Sequence, residues 1–458
     1  MTRLSLLFLC LTGLAQAEDV LTVKQKGEVV ETIGKRLINR YIFPEVGRKA
    51  GDYLKQQLAD GAYKEMTDPN VFAKQLTADL RKITNDLHIR VKHRPPRVKQ
   101  GVPIHPLILA IRDLRKKQSR NYGFARVEIL DGNVGLLELR GFSERQVFGP
   151  HVIAAMKFLE NTDAVILDLR KNGGGSPDTV RYLSSYFIGK GVHLNSIYKR
   201  EGDSTKEFWT LDEVPGKRRT DVPVFVLTSK RTGSGGEGCA YIFQTQKRGK
   251  LIGEVTAGAA NPGGMVPVSN YFACFVPDGR PINPITQTNW EGVGVKPDQE
   301  VSKEEAEEVA LVQAREAAKK YREQRDAAMV AWVALFGETR VRAISLFKQN
   351  KEEQGRDLIG KILAEGFVGG HLDEELANDV GYHFLENKKA QMAEAVFHAN
   401  AVRYPGSPNA FDSWGDSLRR LGRKQAAREA YTKAVALAEA RKDPGLELFR
   451  RNLASMAP

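Results

Sequence analysis

Apolar residues between Val23 and Leu87 recur at helical spacing. Val29, Ile33, Leu37 and Tyr41 predict one amphipathic helix, which Phe43-Pro44 interrupts. Tyr53, Leu54 and Leu58 predict a second. Phe72, Leu76, Leu80, Ile83 and Leu87 form the stripe of a third, with Asp68 as its N-cap and Pro69 at its first position. A basic, proline-containing run from Arg90 to Lys99 reads as a solvated linker. Alternation then replaces helical periodicity: Phe124 to Leu130 and Val134 to Leu139 flank Asp131-Gly132-Asn133, as the arms of a hairpin would.

Helical and strand patterns next take turns. Val152 to Leu159 predicts a helix, Ala164 to Leu169 a buried strand, Asn172-Gly173-Gly174-Gly175 a turn and Pro177 to Ile188 a helix. Val224-Phe225-Val226-Leu227 is a further buried strand, and Ala240, Ile242 and Phe243 lie on the helix after it. With Leu251-Ile252-Gly253, the order predicts an α/β sheet that is at least partly parallel. Met265 to Val276 returns to short strands. From Lys303 onward the composition is rich in Ala, Glu, Arg and Lys, with no strand pattern, so the C-terminus is predicted to be all-α.

That helical region repeats. Gly381, Phe397 and Ala401 recur as Gly415, Tyr431 and Val435, each 34 residues later, a spacing that resembles tetratricopeptide (TPR) repeats. A partner-binding groove and a packing appendage are both compatible with it.

Composition adds constraints. Hydrophobic content of 41% and charged content of 27% are those of an ordinary globular chain. Arg3, the apolar Leu4 to Leu14 and Ala15-Gln16-Ala17 have the three parts of an export signal, and removing them takes the net charge from +13 to +12. The basic excess is scattered along helices, which argues against nucleic acid as a partner. No later segment approaches the ~20 apolar residues of a membrane span, so no stable membrane insertion is expected. After processing only Cys239 and Cys274 remain, which excludes a disulfide framework and leaves room for one bridge. The expectation is an exported protein, periplasmic in a Gram-negative cell and secreted otherwise.

Candidate chemistry centres on Thr232-Gly233-Ser234-Gly235-Gly236-Glu237, which places Ser234 at a strand-to-helix turn. Backbone N–H groups at a helix start lack internal partners and carry the positive end of the dipole, so they can receive an oxyanion. The same residues also suit a serine N-cap with glycines easing an awkward turn. A serine nucleophile needs a base, and His88 stands out among the eight histidines by ending a helix just before the β-like Ile89-Arg90-Val91. No histidine pair has the spacing of four that sets two zinc ligands on one helix face.

Four motifs in order resemble the tail-specific (C-terminal processing) serine peptidases: Asp168-Leu169-Arg170-Lys171-Asn172-Gly173-Gly174-Gly175; Leu227-Thr228-Ser229 through Glu237; Gly253-Glu254-Val255-Thr256-Ala257-Gly258; and Glu291-Gly292-Val293-Gly294-Val295-Lys296-Pro297-Asp298. Val255 occupies the position of the lysine base used by the bacterial tail-specific branch. The chain is therefore more similar to the tricorn-core and interphotoreceptor retinoid-binding protein branch, and the interval from Arg97 to Asn121 is too short for a PDZ domain.

The resemblance implies a ClpP/crotonase-like α/β peptidase core behind an N-terminal helical cap and before the all-α TPR-like domain. The corresponding divisions are 1–17 (signal), 18–92 (cap), 93–302 (core), 303–340 (helical linker) and 341–458 (repeats). It also implies Ser234 as nucleophile, His88 as base within or slightly beyond hydrogen-bond reach of Ser234, and Glu291 behind the base. The Gly235 and Gly174 N–H groups would form the oxyanion hole, and no metal or organic cofactor would be involved. Peptides or unfolded proteins are the implied substrates, with a further protein partner at the repeats. Retinoid-binding relatives imply a second reading, a carrier of apolar ligands, and the repeats a third, an assembly factor.

Overall fold

The computed structural model describes residues 21–94, 98–99, 102–103 and 105–456; the expected export signal lies outside them. The chain divides into two compact units, at Tyr321/Arg322.

The first unit opens with α1 (Val23–Arg40), α2 (Pro44–Ala59) and α3 (Pro69–Thr84). Asp68 caps α3 by accepting hydrogen bonds from the Asn70 and Val71 N–H groups. Strand β1 (Arg90–His93) follows, which corrects the reading of this basic run as linker: Arg90 to His93 pair antiparallel with Phe275 to Phe272. Ile89 and Val91 turn inward and are buried, so the basic side chains are the outer half of an alternating strand. The short hairpin β2 (Val98–Lys99) and β3 (Val102–Pro103) leads to α4 (Pro106–Gln118), a helix that the hydrophobic pattern did not mark.

The α/β core is built from β4 (Phe124–Leu130), β5 (Val134–Leu139), α5 (Arg145–Phe158), β6 (Ala164–Asp168), α6 (Pro177–Ser184), β7 (His193–Lys199), β8 (Ser204–Trp209), β9 (Val224–Thr228), α7 (Gly235–Thr245) and β10 (Lys250–Gly253). Then come β11 (Gly263–Pro267), β12 (Phe272–Pro277), β13 (Gly279–Ile282) and β14 (Gln299–Glu300). The main sheet has the order β14-β10-β9-β6-β5-β4, parallel except for the hairpin partner β4.

Alternate residues of the central strands face opposite cores, which is why these strands read as continuous apolar runs. Leu137, Val165, Leu167, Val224 and Val226 pack with Phe148, Val180 and Phe243 of α5 to α7. Leu136, Ile166, Phe225, Leu227 and Ile252 pack with Ala306, Ala310, Ala314 and Ala318 at the start of α8 (Ala306–Lys348). The four alanines form one stripe at i, i+4 spacing.

Two smaller sheets complete the unit, β1-β12-β11 against the cap helices and β13-β7-β8. Cys239 and Cys274 are free and buried in different cores.

The second unit contains the end of α8 and then α9 (Glu352–Val368), α10 (Glu374–Glu386), α11 (Ala390–Arg403), α12 (Pro408–Arg420), α13 (Lys424–Arg441) and α14 (Leu446–Ala454). The 34-residue period is a repeated packing contact: Gly381 on α10 faces the Phe397 ring on α11, as Gly415 on α12 faces the Tyr431 ring on α13. A methyl group at either glycine would overlap the ring.

Candidate active site

Ser234 lies between β9 and α7 with φ 51°, ψ −120°, a left-handed conformation that non-glycine residues rarely adopt. The buried Glu237 carboxylate holds it there: Oε2 accepts the Ser234 N–H at 2.7 Å. The same carboxylate accepts the Thr256 hydroxyl (2.6 Å) and the Gly258 (2.6 Å) and Ala259 (3.0 Å) N–H groups. Burial pushes its pKa up, against these hydrogen bonds. Glu237 matches the family pattern and stands three residues after Ser234, as in a capping box, but an acid in a first helical turn suits the dipole anyway, so the sequence does not separate an anchor of the elbow from ordinary capping.

The glycine turn approaches the elbow closely. A Cβ on Gly174 would stand 2.7 Å from both Ser234 Cβ and the Gly235 nitrogen. Buried Asn172 shapes this turn, donating from Nδ2 to Leu139 O and accepting the Gly233 N–H on its backbone oxygen. Its Oδ1 accepts the Gly174 N–H at 2.8 Å, so that donor is already committed. The next N–H, that of Gly175, has no hydrogen-bond partner among the described residues and lies 3.0 Å from where a Gly235 Cβ would be. Which N–H of a three-glycine run faces the serine depends on φ and ψ, and a sequence does not carry them.

His88 follows the end of α3. Its ring stacks on Phe275, with centroids 5.8 Å apart, and makes no hydrogen bond to Ser234. One ligand atom from each of Asp86, His88 and Glu291 lies within 4.8 Å of the others. Asp86 is fully buried and well supplied with donors: Oδ1 accepts the His88 backbone N–H (2.9 Å), while Oδ2 accepts the Tyr41 hydroxyl (3.2 Å) and the Asn261 amide (3.0 Å). Glu291 Oε2 accepts the Ala260 (2.6 Å) and Asn261 (2.7 Å) N–H groups. His88 Nδ1 and Glu291 Oε1 are buried without partners. They suit a proton-handling pair.

The residues expected at the site thus form two groups, Ser234, Gly235 and Gly174 in one, His88 and Glu291 in the other. The backbone from Thr256 to Asn261 runs through both, donating first to Glu237 and then to Glu291. Burial lowers the His88 pKa; Asp86 counters this, and Arg90 and Arg81 reinforce it. Burial, and then the Asp86 charge, pushes Glu291 up to about 7, against N–H donors from Asn261 and Ala260.

Beside the serine is a cavity of about 110 Å³ lined by Ser234 and Gly235 and by Val180, Leu194, Phe208 and Trp290. Strands β7 and β8 supply part of this wall. Neither strand was marked in the hydrophobic pattern, because their outer faces are polar.

Residues 133–301 match the model of peptidase family S41, and residues 11–110 match the N-terminal domain of the family as found in eukaryotic IRBP. A carboxy-terminal-processing protease of Bartonella bacilliformis is 27% identical over 197 residues, covering 42% of this chain and 42% of that protein. The carboxy-terminal processing protease CtpA of Bacillus subtilis is 31% identical over 133 residues, covering 29% of this chain and 27% of that protein. The chain therefore spans less than half the length of either relative. Among solved structures, the photosystem II D1 C-terminal processing protease aligns with a TM-score of 0.36 and 16% identity, over 62% of this chain and 94% of that one. With its matched core and its IRBP-type N-terminal domain, the chain belongs to peptidase family S41.

Proposed function

We propose that the protein is an exported serine peptidase that cuts peptides or unfolded chains beside an apolar side chain. The observation that carries this reading is the Ser234 elbow, held at positive φ by Glu237 with the unpartnered Gly175 N–H close by. In this reading Ser234 Oγ attacks the scissile carbonyl and passes its proton to His88. The oxyanion is received by the Gly235 and Gly175 N–H groups, each worth ~3 kcal/mol. His88 returns the proton to the departing amine, leaving an acyl-enzyme; water then attacks, again through His88, and releases the acid. Glu291 steadies the imidazole, and the Ser234–His88 contact tightens to a hydrogen bond when substrate is bound, as unliganded sites commonly require. The apolar cavity beside Ser234 supports an apolar residue next to the cut bond. The C-terminal helices serve a protein partner.

Labelling with a serine-directed fluorophosphonate, read with hydrolysis of a quenched peptide, tests the assignment. Ser234→Ala is expected to lose both signals, and His88→Ala to lose hydrolysis. Undiminished hydrolysis in His88→Ala removes the proposed base.

The missing Ser234–His88 hydrogen bond, together with an apolar cavity, favours a second reading, a carrier of apolar ligands. Co-purified lipid and no hydrolysis of any peptide would establish the carrier in place of the enzyme.

A further inference from the structure

A second concavity, about 800 Å³, is lined by Lys117, Arg120, Arg140, Lys171 and Arg231. Three of these cations are held by acids. Lys117 meets Asp113 at 3.2 Å and Glu144 at 3.3 Å, while Arg140 (2.7 Å) and Lys171 (3.3 Å) share Glu138. Among the described residues, the guanidinium groups of Arg120 and Arg231 have neither a hydrogen-bond nor an ion-pair partner. Five cations therefore face three carboxylates. In a concave wall of one sign the field is focused, and an incoming carboxylate makes charge-assisted hydrogen bonds with reduced solvent screening.

The cavity adjoins the chemistry. Gly141, which lines it, stands with its Cβ position 3.5 Å from Gly174 O, and Gly174 abuts Ser234. The Gly173 N–H donates to Arg140 O, and Arg231 is three residues before Ser234. The apolar cavity takes Gly175, Ser234 and Gly235 from the same turn and elbow, and the two cavities share no lining residue. An extended peptide advances about 3.3 Å per residue, so a chain crossing Ser234 reaches from one cavity into the other within a few residues.

We propose that the basic cavity binds acidic side chains of the substrate, so that the preferred chain carries an apolar residue at the cut and Asp or Glu a few positions away. This rests on the peptidase reading, and the test separates the two. The full chain carrying Ser234→Ala is titrated, by fluorescence anisotropy, against a labelled peptide with one Leu and three consecutive Glu residues, its C-terminus amidated, and against the same peptide with Gln for Glu.

The Glu peptide is expected to bind about tenfold tighter at low salt, with the advantage fading as the Debye length falls to about 3 Å near 1 M salt. Arg120→Gln/Arg231→Gln removes the advantage, and Arg120→Lys/Arg231→Lys restores most of it. Equal binding of the two peptides at low salt, or an advantage that survives the paired Gln substitutions, overturns the proposal. So does an advantage seen only when the C-terminus is free, which would assign the cavity to a terminal carboxylate. Hydrolysis of both peptides by the unsubstituted protein is read separately: its absence counts against the peptidase, while the anisotropy judges the cavity.

Discussion

Glu291 is a buried carboxylate beside a second one, Asp86, and its pKa of about 7 follows from that placement. Because the folded value exceeds the ordinary 4.5, the folded state holds a proton that the unfolded chain releases, and stability falls as pH rises from 4.5 through about 7. Glu291→Gln removes this penalty. Its melting temperature should exceed the parent's by about 2–4 °C at pH 8, with no gain near pH 4; scanning fluorimetry at the two values checks it.

His88 shifts the other way, so the neutral base persists below the ordinary histidine value of about 6.5. The acid limb of kcat/KM should fall under that value. Asp86→Asn sets an amide donor against the Tyr41 hydroxyl or the Asn261 amide and removes the charge that raises the His88 pKa. We expect kcat/KM to drop about tenfold and the acid limb to move further down, which a pH–rate profile resolves. The strand-to-helix turn at Ser234 was legible, but its residues suit an N-cap as well as a nucleophile, and the four motifs taken together, rather than the segment alone, single the serine out. Asp86 was hidden: an acid just beyond a helix end looks like capping until its three donors are seen.

The elements were legible in proportion to their burial. Strands β5, β6 and β9 are apolar on both faces and stand out, whereas β1 carries arginine and lysine outward, so only its start at Arg90 and Val91 reads as β-like and the rest merges with the basic run. The glycine turn shows the same limit at finer grain. Gly173 has open space around its Cβ position and no positive φ, while Gly175 has φ 142° and faces Phe142 O closely enough to exclude a methyl group. Gly173→Ala should keep kcat/KM within about twofold. Gly175→Ala should lose about a hundredfold, the scale of one lost oxyanion donor, because the turn must open to admit it. Similar rates for the two variants would separate this turn from the chemistry.

The repeat pattern was visible in the sequence because an aromatic ring on one helix requires a glycine on the preceding one, and that pair recurs unchanged in spacing. Each compact unit has its own buried clusters: Leu167, Val226 and Phe243 belong to the first, and Phe384, Phe397 and Tyr431 to the second. Compact units with their own cores open as separate cooperative units, so calorimetry should resolve two transitions. Gly415→Ala forces the Tyr431 ring out of its place, an overpacking worth about 1–3 kcal/mol. It should lower one transition and leave the other, and with it peptide hydrolysis below the first melting point, where they were. A single transition that moved as a whole would mean that the two cores fold as one, and the helical repeats would then be part of what holds Ser234 in place.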